Sequence, residues 1–300
     1  MPEFVALMAM LSATIAFSID AMLPALPEIG RELSPGAPNA AQLVIVAFVF
    51  GMGLGTLFAG PLSDALGRKW VMIGGAVVYS IAAALATIAP SLEMLLAVRV
   101  LQGLGASGPR VAAQAMVRDL YAGRGMARVA SFIMMTFTLV PAIAPLIGAF
   151  IIAGFGWRGV FWAFVVFATI SGLWLLIRQP ETLPVGLRRP LRIAQLRAAV
   201  VEVFVHRNVR RAIIMQTLVF GILFATIISI QPIYEFTFGR ADTFPIWFGL
   251  VALLSGGASF LNASLVGRLG MPYLVRLALA SHLVLSLVLA AGWATGLTPE

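Results

Sequence analysis

The sequence contains no cysteine, only two histidines and few charged residues. The lack of cysteine excludes disulfides, thiol nucleophiles and cysteine-ligated metals, and His206 and His282 are too few for a multi-histidine metal site. Charged residues make up 11% of the 300 positions, against about 25% in an average soluble domain. With 61% hydrophobic residues and a mean hydropathy of +1.00, the chain has more apolar surface than one soluble core can hide. The composition predicts a polytopic membrane protein.

Nine apolar stretches have the roughly 20 residues that a membrane-spanning helix needs. Six of them precede a long basic loop at residues 179–209, and three follow it. We therefore expect an all-α protein with a six-helix bundle at 1–178, an interdomain loop at 179–209 and a three-span partial bundle at 210–300. The nine stretches are 4–26, 40–62, 70–89, 93–113, 127–154, 157–178, 210–233, 243–265 and 272–293.

The basic residues predict the orientation of these spans. Sixteen of the 20 lysines and arginines are assigned to the loops after spans 2, 4, 6 and 8, and three to the opposite side. Because positive loops stay in the cytoplasm, the N-terminus is expected to be cytoplasmic. The same pattern explains the net charge of +8 without a nucleic-acid partner. The long loop ends in an amphipathic run, 191–204, which is either a regulatory or lipid-contacting helix or part of a plain linker.

The turn between spans 2 and 3 reads GPLSDALGRKW, residues 60–70, and joins two apolar runs with an acid and two bases. It resembles motif A of the major facilitator superfamily (MFS). The resemblance implies a charge network that latches the cytoplasmic ends of the helices together; the alternative is a basic turn that only sets orientation. The residues that carry the motif are Gly60, Asp64, Gly67, Arg68 and Lys69, with Asp119 after span 4 as the acidic partner.

Span 4 reads LLAVRVLQGLGASGPR and resembles motif B of the same superfamily. An arginine inside a span costs about 2.5–3.5 kcal/mol on insertion scales, so Arg99 indicates a function. The rest of the motif is matched by Gln102, Gly103, Gly105 and Gly108.

Asp20 in span 1 and Arg99 each lie about 6 residues, roughly 9 Å, inside the outer boundary of antiparallel spans. We therefore expect the two side chains to be partners. Burial disfavours a charged carboxylate and a nearby arginine favours it, so conformation or substrate can decide whether Asp20 holds a proton. The alternative is a static ion pair that fixes helix packing.

Span 5 reads MTFTLVPAIAPLIGAFI and places Pro141, Pro145 and Gly148 on one helix face, where they are expected to bend it. The pattern resembles motif C, which is associated with MFS proteins that exchange drug for proton. Ala144 and Ala149 depart from its glycine-rich form, and a kink used only for packing remains the alternative.

Together with SIDAMLPALP in span 1 and PETLP after span 6, these segments resemble the Bcr/CflA drug-resistance family of the MFS. The resemblance implies a monomeric, cofactor-free exporter of small-molecule antibiotics in the bacterial cytoplasmic membrane. Such an exporter is driven by protons and works by alternating access. Twelve spans are typical of an MFS protein, so nine favour a fragment of a longer chain.

Residues that contact substrate are harder to predict. Aromatic and amide side chains could line the path, although phenylalanine in membrane helices more often packs or faces lipid. His282 could relay protons or bond a neighbouring helix, and Glu235 is expected to be interfacial. The candidates are Phe17, Phe132, Phe137, Phe220, Phe224, Gln231 and Tyr234.

The sequence leaves three other functions open: an MFS symporter, a dedicated metabolite exporter and a non-transporting remnant. An enzyme is not expected, because the spans contain no carboxylate pair, nucleophile–base set or metal cluster.

Overall fold

The structure is a computed structural model that describes residues 2–191 and 200–296, apart from the side chains of residues 124, 127, 137, 138, 259, 260, 262, 263, 267 and 293. Within these ranges the chain is helical and contains no strand. The helices are α1 (Pro2–Asp20), α2 (Leu26–Leu33), α3 (Leu43–Leu66), α4 (Arg68–Ala86), α5 (Leu92–Leu120), α6 (Gly123–Arg178), α7 (Arg207–Pro232), α8 (Phe244–Leu269) and α9 (Met271–Ala294). Residues 200–205 are also helical, whereas residues 192–199 of the predicted amphipathic run lie outside the described residues.

Seven helical segments of the described chain are long and apolar enough to cross a membrane, against nine predicted stretches. Two differences explain the lower number. The stretches 127–154 and 157–178 are counted together within α6, although the non-helical backbone of Gly156 (φ 65°) separates two helical parts there, as the two predicted stretches require. Helix α5 is absent because its arginines and glutamines lower its hydropathy. Since α5 packs along both α3 and α4, we treat it as a spanning helix.

The first span is interrupted at Asp20. The LPALP sequence follows, and a short 3₁₀ turn, Leu23–Ala25, leads into α2. The backbone of Pro24 has no N–H to give to the carbonyl of Asp20, so the α-helical ladder cannot continue there. The apolar side chains of Leu23 and Ile29 are fully buried, which places this segment against the bundle. The basic residues predict that it lies on the outer side, and the outer and cytoplasmic sides of the bundle are named by that predicted orientation.

A polar clamp fixes α2 at the outer side. Glu32 accepts hydrogen bonds from Trp157 Nε1 at 2.7 Å and from Arg158 Nη1 at 2.9 Å. Arg158 Nε also donates to the carbonyl of Thr87 at 3.1 Å, after the end of α4. The outer ends of α2, α4 and the second part of α6 are therefore joined.

Helices α3, α4 and α5 approach one another closely at the glycines of the predicted motif B. A Cβ atom on Gly103 would overlap the Phe48 carbonyl oxygen of α3, and one on Gly105 would lie 2.5 Å from the Tyr79 backbone nitrogen of α4. Small residues at these positions let the three backbones touch, as is typical of membrane helix packing.

Helix α6 contains Pro141 and Pro145 and remains one continuous helical segment as far as Gly156, where the backbone leaves helical geometry (φ 65°). Gly148 lies directly against the Ala21 carbonyl, so the glycine of the predicted motif C packs on the break that follows α1.

Helices α7 and α8 contact the first six spans near the outer ends. Phe244, Ile228 and Tyr234 pack with the same hydrophobic cluster as Met22 and Leu23. Gly249 of α8 lies close to α6, because a Cβ there would be 2.6 Å from the Ala142 carbonyl oxygen. By contrast, the cytoplasmic half of α7 is mostly exposed.

Candidate functional site

Arg99 is fully buried and donates hydrogen bonds in three directions. Its Nε donates to the Val44 carbonyl of α3 at 3.0 Å and its Nη2 to the Ser18 carbonyl of α1 at 3.1 Å. Its Nη1 donates to Oε1 of Gln102, one turn along α5, at 2.7 Å. A cation at the C-terminal turn of a helix is favoured by the helix dipole, so Arg99 also stabilises the end of α1.

Aromatic rings complete the surroundings of this guanidinium. The Arg99 Cζ atom lies 4.5 Å from the ring centroid of Phe48 and 5.8 Å from that of Phe161. Such distances allow cation–π attraction, which is stronger away from water. The positive charge is thus held by carbonyls, one amide and two ring faces.

Ser18 and Tyr79 extend the polar network from α1 to α4. Their hydroxyl oxygens are 2.5 Å apart, and Ser18 Oγ lies 2.6 Å from the Thr14 carbonyl. Because Ser18 has one hydroxyl proton and gives it to that carbonyl, the Tyr79 hydroxyl donates to Ser18 Oγ. Tyr79 therefore supports the turn of α1 whose carbonyl binds Arg99.

Asp20 lies two residues after Ser18 and is only 5% exposed. Among the described residues its carboxylate has neither an ion-pair partner nor a hydrogen-bond donor. The predicted Asp20–Arg99 ion pair is therefore wrong for this conformation, because the guanidinium of Arg99 donates its hydrogen bonds to two carbonyls and to Gln102. Both residues are connected to the last turn of α1: Asp20 belongs to this turn, and Arg99 binds the carbonyl of Ser18 in it.

The motif A residues meet at the cytoplasmic end of α4. Arg68 forms an ion pair with Asp64 one turn before it, and its Nε lies 3.4 Å from Oδ2 of Asp119 at the end of α5. Arg68 Nη1 also donates to Ser63 Oγ at 2.7 Å. Gly67 has a φ of 107°, a conformation that glycine adopts without strain. Lys69 is bound elsewhere, with Nζ 2.8 Å from the Leu176 carbonyl of α6.

Glu181, which follows α6 in the PETLP segment, is a site residue that the sequence analysis missed. Its two carboxylate oxygens accept from the backbone amides of Arg68 at 3.0 Å and Lys69 at 3.1 Å, so it caps the N-terminus of α4. Thr182 Oγ1 adds a 3.0 Å hydrogen bond to Asp119 Oδ2. Glu181 itself was the only sequence signal for these contacts, and the sequence did not indicate which groups it binds.

The weakly predicted substrate residues do not gather at one point. Phe17 packs edge-on against Phe164, with centroids 5.4 Å apart, which supports a packing role. Phe220 and Phe224 stack on each other along α7 at 6.2 Å. Phe132 is exposed on α6, and the side chain of Phe137 lies outside the described residues.

Gln231 and Tyr234 lie at the outer end of α7, where a π-helical turn, Ile233–Thr237, follows. Gln231 is buried, and its Nε2 donates to Glu235 Oε2 at 3.0 Å. Tyr234 packs against the rings of Phe238 and Phe244. His282 is exposed on α9.

Comparison with known proteins identifies the family. A sequence profile described as "Major Facilitator Superfamily" matches residues 6–298, nearly the whole chain. The chain belongs to the major facilitator superfamily. It is therefore a membrane transporter by family and not an enzyme, and the architecture above is an MFS fold.

Relatives within the superfamily carry resistance names. The chain is 30% identical over 278 residues to the "Bicyclomycin resistance protein homolog" of Haemophilus influenzae, a match that covers 92% of this chain and 70% of the relative. It is 38% identical over 147 residues to a "Chloramphenicol resistance protein" of Pseudomonas aeruginosa, covering 49% of this chain and 35% of the relative.

A solved structure, that of a D-xylose-proton symporter, superposes with a TM-score of 0.67 at 13% identity. The superposition covers 89% of this chain and 69% of that one. At this level of identity the likeness concerns the fold alone.

Proposed function

We propose that this MFS protein exports small-molecule antibiotics, that inward proton flow drives the export, and that it works by alternating access. Three kinds of support are available: the superfamily, relatives named for bicyclomycin and chloramphenicol resistance, and the buried polar site at the end of α1. We also propose that the protein lies in the bacterial cytoplasmic membrane with its N-terminus in the cytoplasm, as its basic residues favour.

The observation that carries the proton-coupling proposal is the state of Asp20. Burying a charged carboxylate without a described hydrogen-bond donor costs much free energy, whereas burying its protonated form costs far less. Opening the site to water would let the proton leave. Arg99 of α5 is the fixed positive charge that binds the same turn of α1, and a rearranged α1 could bring Asp20 to it.

The cytoplasmic network supports the alternating-access part of the proposal. Asp64, Arg68, Asp119 and Glu181 tie the inner ends of α3, α4 and α5 to the start of the interdomain loop. These contacts lie on the side opposite to the outer contact of α7 and α8 with the first six spans. We assign them the role of a latch that must loosen and re-form in each cycle.

The test is proton-driven accumulation of ethidium in everted membrane vesicles. Wild-type protein is expected to fill the vesicles when their interior is acidified, since the proton then flows in the direction that drives export. Asp20→Asn keeps the size of the side chain and removes its titration, so this accumulation should fall to background while membrane insertion is unchanged.

Asp242→Asn, at an exposed acid of the outer loop, is the matched control and should transport like wild type. Undiminished accumulation by Asp20→Asn would overturn the role of this carboxylate. Depletion of ethidium from the acidified vesicles would instead support a symporter.

A further inference from the structure

Arg110 lies within the spanning helix α5, 18 residues or about 27 Å from its start at Leu92, rather than in a cytoplasmic loop. Arg110 was counted among the basic residues after span 4 although the predicted span 93–113 contains it, and α5 continues for ten residues beyond it, to Leu120. At 1.5 Å per residue, its Cα is about 15 Å from the cytoplasmic end of the helix. The assignment to the loop was therefore wrong, both against the predicted bounds and against the observed helix.

The guanidinium of Arg110 reaches farther towards the centre of the span. Its Nη1 lies 3.3 Å from Sδ of Met52 on the neighbouring helix α3. Met52 is nine residues after the start of α3 at Leu43 and 14 before its end at Leu66. This direction agrees with the tilt of helical side chains towards the helix N-terminus, which for α5 is its outer end.

Arg110 lies on the same face of α5 as Arg99. The two are eleven residues apart, and at about 100° per residue this returns the helix to within roughly 20° of the same direction. Arg99 is fully buried at its end of this face, whereas Arg110 is exposed. Gln114, one turn nearer the cytoplasm, is exposed as well.

The charge of Arg110 is not neutralised within the described part of the chain. No Asp or Glu there lies within 4.0 Å of it, and its one hydrogen bond goes to a thioether sulfur, a weak acceptor. A guanidinium in a spanning helix is costly, and such residues mark substrate or ion pathways. Every other donor of this side chain is available to a ligand.

We propose that Arg110 and Gln114 form an oxyanion subsite in the transport path, which binds the carboxylate or phosphate group of an anionic or zwitterionic solute. The planar guanidinium can hold two oxygens of such a group at once, and the Gln114 amide can donate from the next turn. The inference rests on the proposed export function and names a substrate class for it. The aromatic cations used as general drug probes would not need this subsite.

Binding can be measured on the purified protein by thermal shift in detergent with three probes of similar size. Salicylate carries a carboxylate, phenyl phosphate carries a phosphate, and salicylamide is neutral. Wild-type protein is expected to be stabilised by at least one acidic probe and not by salicylamide. Whichever acid binds more tightly identifies the type of oxyanion.

Arg110→Gln should raise the concentration of acid needed for half the shift by about tenfold or more, the usual effect of losing a charge-assisted bidentate pair. Arg110→Lys should keep part of the binding, because it retains the charge without the planar fork. Arg211→Gln, at an exposed arginine of α7, is the control and should bind like wild type.

Ethidium export in vesicles separates this inference from the function on which it rests. If wild-type protein exports ethidium but neither acid stabilises it, the oxyanion subsite is refuted and export stands. If Arg110→Gln loses ethidium export together with acid binding, the residue has a general structural role and the subsite is also refuted. If wild-type protein does not export ethidium, the proposed export function itself fails.

Discussion

The burial of Arg99 depends on acceptors that any residue could supply. Two of its three partners are backbone carbonyls, those of Ser18 and Val44, and only Gln102 contributes a side chain. This arrangement lets a full positive charge sit in the bundle without a neighbouring carboxylate. A change in the protonation state of Asp20 would therefore not remove a partner of Arg99.

The Tyr79 hydroxyl should matter for stability as well as for transport. Tyr79→Phe removes the hydrogen bond to Ser18 and leaves the buried ring in place. A net loss of about 1 kcal/mol in the free energy of unfolding is expected. Ethidium export should fall too, because the turn of α1 that binds Arg99 loses its support.

Denaturation of the detergent-solubilised variants would measure the loss. Tyr273→Phe is the matched control, since Tyr273 is 53% exposed on α9. Equal stabilities of the two variants would mean that the Ser18–Tyr79 contact contributes nothing.

At the scale of the helices, the sequence predicts more about charge partners than about backbone contacts. Arg68 and Asp119 could be paired in advance because motif A specifies both by side-chain type. Glu181 binds the amides of Arg68 and Lys69, 113 and 112 residues away in sequence, and every residue except proline has an amide. The carbonyl acceptors of Arg99 were hidden for the same reason, because every residue has a carbonyl.

Hydropathy predicts the spans well but locates their ends poorly. Residues 93–113 were predicted from apolar content, whereas α5 runs on through the polar RDL segment to Leu120. The ladder of backbone hydrogen bonds does not stop where apolar residues stop. The predicted span 93–113 already contains Arg110, so counting this residue with the loop was an error of assignment and not of hydropathy.

The glycines of α5 lead to a prediction at the level of helix packing. Gly103→Ala would drive a methyl group into the Phe48 carbonyl of α3, and the two backbones would have to separate. A destabilisation of about 1–3 kcal/mol or more is expected from such overpacking. Gly53→Ala on α3 is the control, because nothing lies within 4 Å of a Cβ there. Thermal melts in detergent would compare them, and a Gly103→Ala variant as stable as Gly53→Ala would contradict the described contact of α3 with α5.

For the whole molecule, the contacts between the two halves indicate on which side of the membrane the transporter is closed. The described contacts between α7 or α8 and the first six spans lie near the outer ends, and the cytoplasmic half of α7 is mostly exposed. We infer that this conformation is closed towards the outside. A transporter that alternates must break these outer contacts at another stage of its cycle.

A substitution at the Gly249–Ala142 contact should shift the equilibrium between the outward-closed and the outward-open conformation. Gly249→Val puts a branched side chain against the Ala142 carbonyl and should favour the conformation that is open to the outside. Gly257→Val on the same helix meets nothing within 4 Å and is the matched control.

Because the chain has no cysteine, a single Ile228→Cys at the outer contact can be labelled without background. A membrane-impermeant maleimide added from outside should label this cysteine several-fold faster with Gly249→Val than with Gly257→Val. Equal rates in the two backgrounds would mean that the outer contact does not govern access, and the latch at the cytoplasmic end of α4 would then have to control both faces.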